Sequence, residues 1–92
     1  MKYRIKLTDE AEKQMIQWRK SGQKKDIAKI ISLLQELEEH PTKGTGQIEQ
    51  LKGNYSGYWS RRINKQYRLI YSIHEDIVTV EVVSLRSHYG DK

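Results

Sequence analysis

The 92-residue chain contains no cysteine. That excludes a disulfide framework and a thiolate zinc site, and it fits a reducing compartment, so a cytoplasmic location is expected. No run of about 18 apolar residues occurs, so no membrane-spanning helix and no membrane partner is expected. Residues Met1 to Leu7 alternate Lys and Arg with apolar residues and contain no continuous apolar stretch, which excludes a secretory signal. The three histidines, His40, His74 and His88, lie far apart in sequence, so no metal site is expected. Glycines are frequent between residues 41 and 57, but no Gly-Lys-Ser/Thr follows them, so they form no phosphate loop. No cofactor is implied. Repeats, low-complexity tracts and linkers are absent, and the length allows one domain, residues 1–92.

One absence is local. From Gln50 to His74 there is no Asp or Glu. The same window carries Lys52, Arg61, Arg62, Lys65 and Arg68, and five of the eight aromatics, Tyr55, Tyr58, Trp59, Tyr67 and Tyr71. The whole chain has 17 Lys and Arg against 12 Asp and Glu, a formal net charge of +5. Bases interleaved with aromatics pair phosphates and stack nucleobases. They also describe a basic strand pair whose aromatics fill a small core. Composition leaves both readings open.

The apolar periods define the elements. Residues 2–7 alternate with period two, with Tyr3, Ile5 and Leu7 on one face, and predict a strand. Thr8 is a candidate helix N-cap, followed by Asp9 and Glu10 in the first turn, where the helix dipole favours acids. Ala11, Met15 and Trp18 form a stripe that Ser21-Gly22 ends. A second helix is predicted from about Lys24 to Glu39, with Ile27, Ile30, Ile31, Leu34 and Leu37 on its buried face and Pro41 as its stop. Residues 41–57 read as a long loop, of the kind that is often functional. Strands follow at 58–63, 67–73 and 77–85, with turns at Asn64-Lys65-Gln66 and Glu75-Asp76. The expected fold is α+β: an N-terminal strand, two helices, then an antiparallel three-stranded meander with the helices packed on one sheet face.

A turn centred on Lys65 sets Arg62 opposite Arg68, with Ser60 and Ile70 beside them. Like charges directly opposite on a sheet cost stability. An anion between them, such as a phosphate held by guanidinium forks, would relieve this. So would a different register, or an acid brought in from elsewhere. RNA cleavage needs a base for the 2′-hydroxyl proton, an acid for the leaving 5′-oxygen and cations for the phosphorane. Glu49 precedes the acid-free window and His88 follows the last strand. Spacing alone brings neither to the arginines, and each equally fits a plain surface.

The run Glu49-Gln50-Leu51-Lys52-Gly53-Asn54-Tyr55-Ser56-Gly57-Tyr58-Trp59-Ser60-Arg61-Arg62-Ile63, then Tyr67-Arg68-Leu69-Ile70-Tyr71, then Ser87-His88-Tyr89, closely resembles the YoeB/Txe toxins of the RelE superfamily. The resemblance spans roughly residues 41–89. It implies a RelE-like fold and a ribosome-dependent mRNA endoribonuclease that inhibits translation. Glu49 would be the general base, Arg68 the transition-state stabiliser and His88 the general acid. Arg62 would assist with phosphate, Lys52 would lie near the scissile phosphate, and Tyr89 would position the substrate. The family uses no metal and leaves a 2′,3′-cyclic phosphate or a 3′-phosphate. The implied partners are mRNA on the ribosome and a YefM/Phd-type antitoxin that wraps the toxin. Operator DNA would be reached only through the antitoxin, and toxins of this branch often form homodimers.

Two features depart from the family pattern. Tyr67 stands where a histidine is common. Gly90-Asp91-Lys92 extends the chain, with Asp91 either near His88 or part of a frayed tail. A ParE-like gyrase inhibitor and a non-catalytic RNA-binding module are the competing functions. The joint presence of Glu49, Arg68 and His88 argues against the first.

Overall fold

The computed structural model describes residues 2–88. Strand β1 (Arg4–Leu7) leads into helix α1 (Asp9–Ser21) and helix α2 (Lys24–Leu37). Four strands follow: β2 (Glu49–Gln50), β3 (Trp59–Arg62), β4 (Tyr67–His74) and β5 (Thr79–His88). Single 3₁₀ turns occupy Gly53–Tyr55 and Glu75–Ile77.

The helix signals act as read. Thr8 is extended, and its hydroxyl accepts the Ala11 N–H at 3.2 Å, which satisfies one of the free donors of the first turn. Gly22 closes α1 at φ 72°, a left-handed position that suits a residue without a Cβ. Helix α2 ends at Leu37, two residues before the expected Glu39. Its buried face is Ile30, Leu33 and Leu37, whereas Ile31 is 42% exposed. The expected stripe was therefore rotated: Leu33 belongs in it and Ile31 does not. In a helix this rich in Ile and Leu, several apolar stripes fit the same period.

The five strands form one sheet in the order β1-β5-β4-β3-β2. The meander β3-β4-β5 is antiparallel, as expected. Two strands flank it. β1 runs parallel to β5, with Arg4 opposite Thr79 and Leu7 opposite Val82. β2 lies inside the segment expected to be a loop, and it pairs Glu49 with Ser60 and Gln50 with Trp59. A two-residue strand is too short to show a period. Both helices contribute to a single core: Ala11, Met15, Trp18, Ile30, Leu33 and Leu37 pack against Ile63, Leu69, Tyr71, Val80, Val82 and Leu85.

The hairpin register is the one expected. Arg62 pairs with Arg68 and Ser60 with Ile70. Asn64 Oδ1 accepts the N–H groups of Gln66 and Tyr67, each at 2.8 Å, and fixes the turn. β5 runs three residues past the expected Leu85, and its pairing with β4 is irregular. Tyr71 lies opposite Val82, Ile70 opposite Ser84 and Arg68 opposite Ser87, so β5 gains a residue at each of two bulges.

Candidate catalytic face of the sheet

Strand alternation separates two faces. Leu69 and Tyr71 point into the core, so Arg68 and Ile70 belong to the face away from the helices. Across β3, Ser60 and Arg62 share that face by register. Edge strand β2 adds Glu49 beside Ser60.

This pairing joins three side chains. Arg68 Nη1 lies 3.0 Å from Glu49 Oε1 and also donates to Ser60 Oγ. The Arg68 side chain is only 8% exposed, whereas Glu49 is 60% exposed. The arginine is thus seated and oriented, and the carboxylate stays open to solvent. The like-charged pair Arg62 and Arg68 is relieved partly by an acid from elsewhere: Glu49 faces Arg68 directly. Beside this row lies an open cleft of about 290 Å³, lined by Asn54, Tyr55, Tyr58, Ile70, Val83, Ser84 and Ser87.

The five window aromatics divide between the core and the open cleft. Trp59, Tyr67 and Tyr71 belong to the core or pack against it. Tyr55 and Tyr58 line the cleft, and Tyr55 is 52% exposed. The basic residues divide as well. Arg61 is fully buried and paired with Glu36, so it contributes nothing to the open face.

Of the expected site residues, the structure brings Glu49 and Arg68 into contact and sets Arg62 across from Arg68. Lys52 is exposed, three residues beyond Glu49, at the start of the Gly53–Tyr55 turn. The backbone of His88 pairs with Tyr67, one residue from Arg68 along β4. Tyr89 and the extension Gly90-Asp91-Lys92 lie outside the described residues. Ser60 is the contact that sequence reasoning left without a role. The same register that paired the arginines already placed it in their row.

The fold and this face define a class, small α+β proteins with two helices on one sheet face and a basic row on the other. The structure superposes with a TM-score of 0.86 on a YoeB/ParE toxin from Agrobacterium tumefaciens, 30% identical, covering 94% of this chain and 99% of that one. It superposes with a TM-score of 0.78 on a chain of the heterotetrameric YoeB–YefM toxin–antitoxin complex of Staphylococcus aureus, 30% identical, covering 97% and 100%. Toxin YoeB of Synechocystis sp. is 41% identical over 73 residues, 78% of this chain and 81% of that protein. Residues 7–89 match the family model of the YoeB-like toxin of bacterial type II toxin–antitoxin systems. The chain belongs to that family.

Proposed function

We propose that this chain is an endoribonuclease that cleaves mRNA on the ribosome. The observation that carries this reading is the Glu49–Arg68 pair at 3.0 Å, with Arg62 opposite Arg68 on the same open face. A carboxylate beside a seated guanidinium holds a proton acceptor and a cation within the span of one phosphate. Glu49 takes the 2′-hydroxyl proton and the oxygen attacks the adjacent phosphorus. Arg68 and Arg62 stabilise the charge that builds on the phosphorane, and Lys52 adds a further cation. His88 protonates the departing 5′-oxygen, which leaves a 2′,3′-cyclic phosphate. Tyr89 positions the substrate, and the cleft with Tyr55 and Tyr58 offers rings on which flanking bases stack. Every proton transfer is assigned to a side chain of this protein.

The partner proposed is a YefM/Phd-type antitoxin, which the YoeB–YefM complex of Staphylococcus aureus supports; its covering of this face is part of the proposal. Operator DNA is then reached through the antitoxin. A homodimer is proposed as well, since a YoeB dimer is known from the same organism.

The test is cleavage of a defined mRNA on purified ribosomes, with 5′ ends mapped. Cleavage is expected with the parent. Arg68→Ala should lower kcat by about 10²–10³, the range for removing one charge-stabilising donor. An intact message with the correctly folded parent overturns the reading. So does inhibition of gyrase supercoiling without an effect on translation.

A further inference from the structure

Seen from β4, the end of β5 is displaced. From His74 to Tyr71 the pairing is regular, with His74 opposite Thr79 and Tyr71 opposite Val82. Continued without interruption, that register would set Arg86 opposite Tyr67. The two bulges insert two residues, and His88 lies opposite Tyr67 instead.

The bulged residues leave backbone groups outside the ladder, and buried groups of this kind need partners. Helix α1 provides them. The Leu85 N–H donates to Gln14 Oε1 at 2.6 Å. The Leu85 carbonyl accepts the Trp18 indole N–H at 2.8 Å. Gln14 and Trp18 are four residues apart on one helix face, so together they grip both backbone groups of one residue as a neighbouring strand would. Gln14 Nε2 donates to Glu10 Oε2 at 3.1 Å, which turns its carbonyl oxygen toward the bulge. Arg86 completes the lock. Its guanidinium lies 5.4 Å from the Trp18 ring and 5.0 Å from the Tyr67 ring, and it donates to Tyr67 Oη at 3.1 Å. Tyr67, the departure from the family pattern, is thus a wall of this clamp.

We infer that Gln14 is a positioning residue: with Trp18 it holds the β5 bulges, and the bulges bring the backbone of His88 opposite Tyr67, beside Arg68. The inference rests on the nuclease reading for its catalytic consequence, but its register half stands apart from that reading.

The test uses the full chain, with two readouts. The first is the cross-strand nuclear Overhauser contact between Tyr67 and His88. The second is kcat and KM for cleavage on ribosomes. Gln14→Ala should lose the Tyr67–His88 contact while the Tyr71–Val82 contact persists. Its kcat should fall on the order of 10²-fold, the scale of a small misplacement, with KM little changed. Gln14→Glu combined with Glu10→Gln keeps an acceptor for the Leu85 N–H and a donor at position 10 to orient it, and should restore both the contact and most of the rate. If Gln14→Ala does not fold, Trp18→Phe removes the indole donor together with part of the buried ring that faces Tyr67 and Arg86, and is judged by the same contact. A Tyr67–His88 contact that survives in Gln14→Ala overturns the inference, as does a Gln14→Glu, Glu10→Gln protein no better than Gln14→Ala. A parent that shows the contact but cleaves nothing overturns the nuclease reading, and the contact alone then decides the register.

Discussion

Arg61 uses all five of its N–H donors. Nε donates to Tyr71 Oη at 3.3 Å, Nη1 to Glu36 and to the Thr45 carbonyl, and Nη2 to the carbonyls of His40 and Lys43. Three of those acceptors are backbone groups of the segment between α2 and β2, so one buried guanidinium pins that segment to β3. Gly44 belongs to the same knot: at φ +119°, a Cβ there would run into the Glu36 carboxylate. Removing the guanidinium would leave Glu36 and the carbonyls without it. Arg61→Ala is expected to lose about 1–3 kcal/mol in urea unfolding, the range for leaving buried acceptors unsatisfied, since the partly exposed Glu36 carboxylate regains water. Arg61→Lys should lose much of this too, because an ammonium has three donors and no fork. The pair also has a pH signature. Burial alone would raise the Glu36 carboxyl. The Thr45 N–H at 2.6 Å, the Thr45 hydroxyl at 3.0 Å and Arg61 outweigh it and hold the carboxyl below its ordinary value. A depressed folded value means that the stabilisation is full above the unfolded carboxylate range and is lost as pH falls through the folded value. Unfolding midpoints measured from neutral pH down into the acid range should therefore drop more steeply for the parent than for Glu36→Gln.

At the scale of elements, the segment 38–48 and strand β2 act as one arm. Arg61 and Tyr71 hold its start: Tyr71 Oη donates to the Pro41 carbonyl at 2.6 Å and accepts from Arg61. The Gly46 carbonyl accepts the Arg62 N–H, and Glu49 then pairs with Ser60. The candidate base thus arrives through a chain of contacts that begins in the core. Tyr71→Phe removes only the hydroxyl and leaves the Pro41 carbonyl and Arg61 Nε short of a partner. It is expected to cost about 1–3 kcal/mol, read as a lowered urea midpoint. This arm marks the boundary of what the sequence discloses. Elements with three or more apolar repeats were legible, as were the Thr8 cap and the hairpin register about Lys65. The arm was not. It is fixed by donors and acceptors from residues 10 to 30 positions away, and no local period records them. The same holds for Arg61 and Arg62. They are neighbours with identical side chains, and only the parity of β3 decides that one is interior and the other on the open face. The resemblance named Glu49 as the base and Arg68 as the transition-state stabiliser, and the structure brings the two side chains together through β2.

On the scale of the whole molecule, the charge surplus has a shape. The net +5 counts Arg61 and Glu36 as a base and an acid, although they neutralise each other beneath the sheet. The acid-free window therefore offers a ligand four basic residues, Lys52, Arg62, Lys65 and Arg68, on or beside the open face. Polyanion binding releases counterions in proportion to the phosphates neutralised, so log affinity falls with log salt at a slope set by that number. Arg62→Ala should make the slope for binding to mRNA-loaded ribosomes shallower by about 0.7, the contribution of one phosphate contact on a single strand. Lys52→Ala should do the same where the lysine reaches a phosphate. The paired change Arg61→Met with Glu36→Gln removes one charge of each sign, the arginine buried and the glutamate partly exposed, and touches no surface base. It should leave the slope unchanged, even where its urea midpoint shifts. Lys25→Ala on exposed α2 removes the same one unit of charge from the helix side of the sheet, so a flattening as large as that of Arg62→Ala would show that the arginines act through the global field and not through contact on one face.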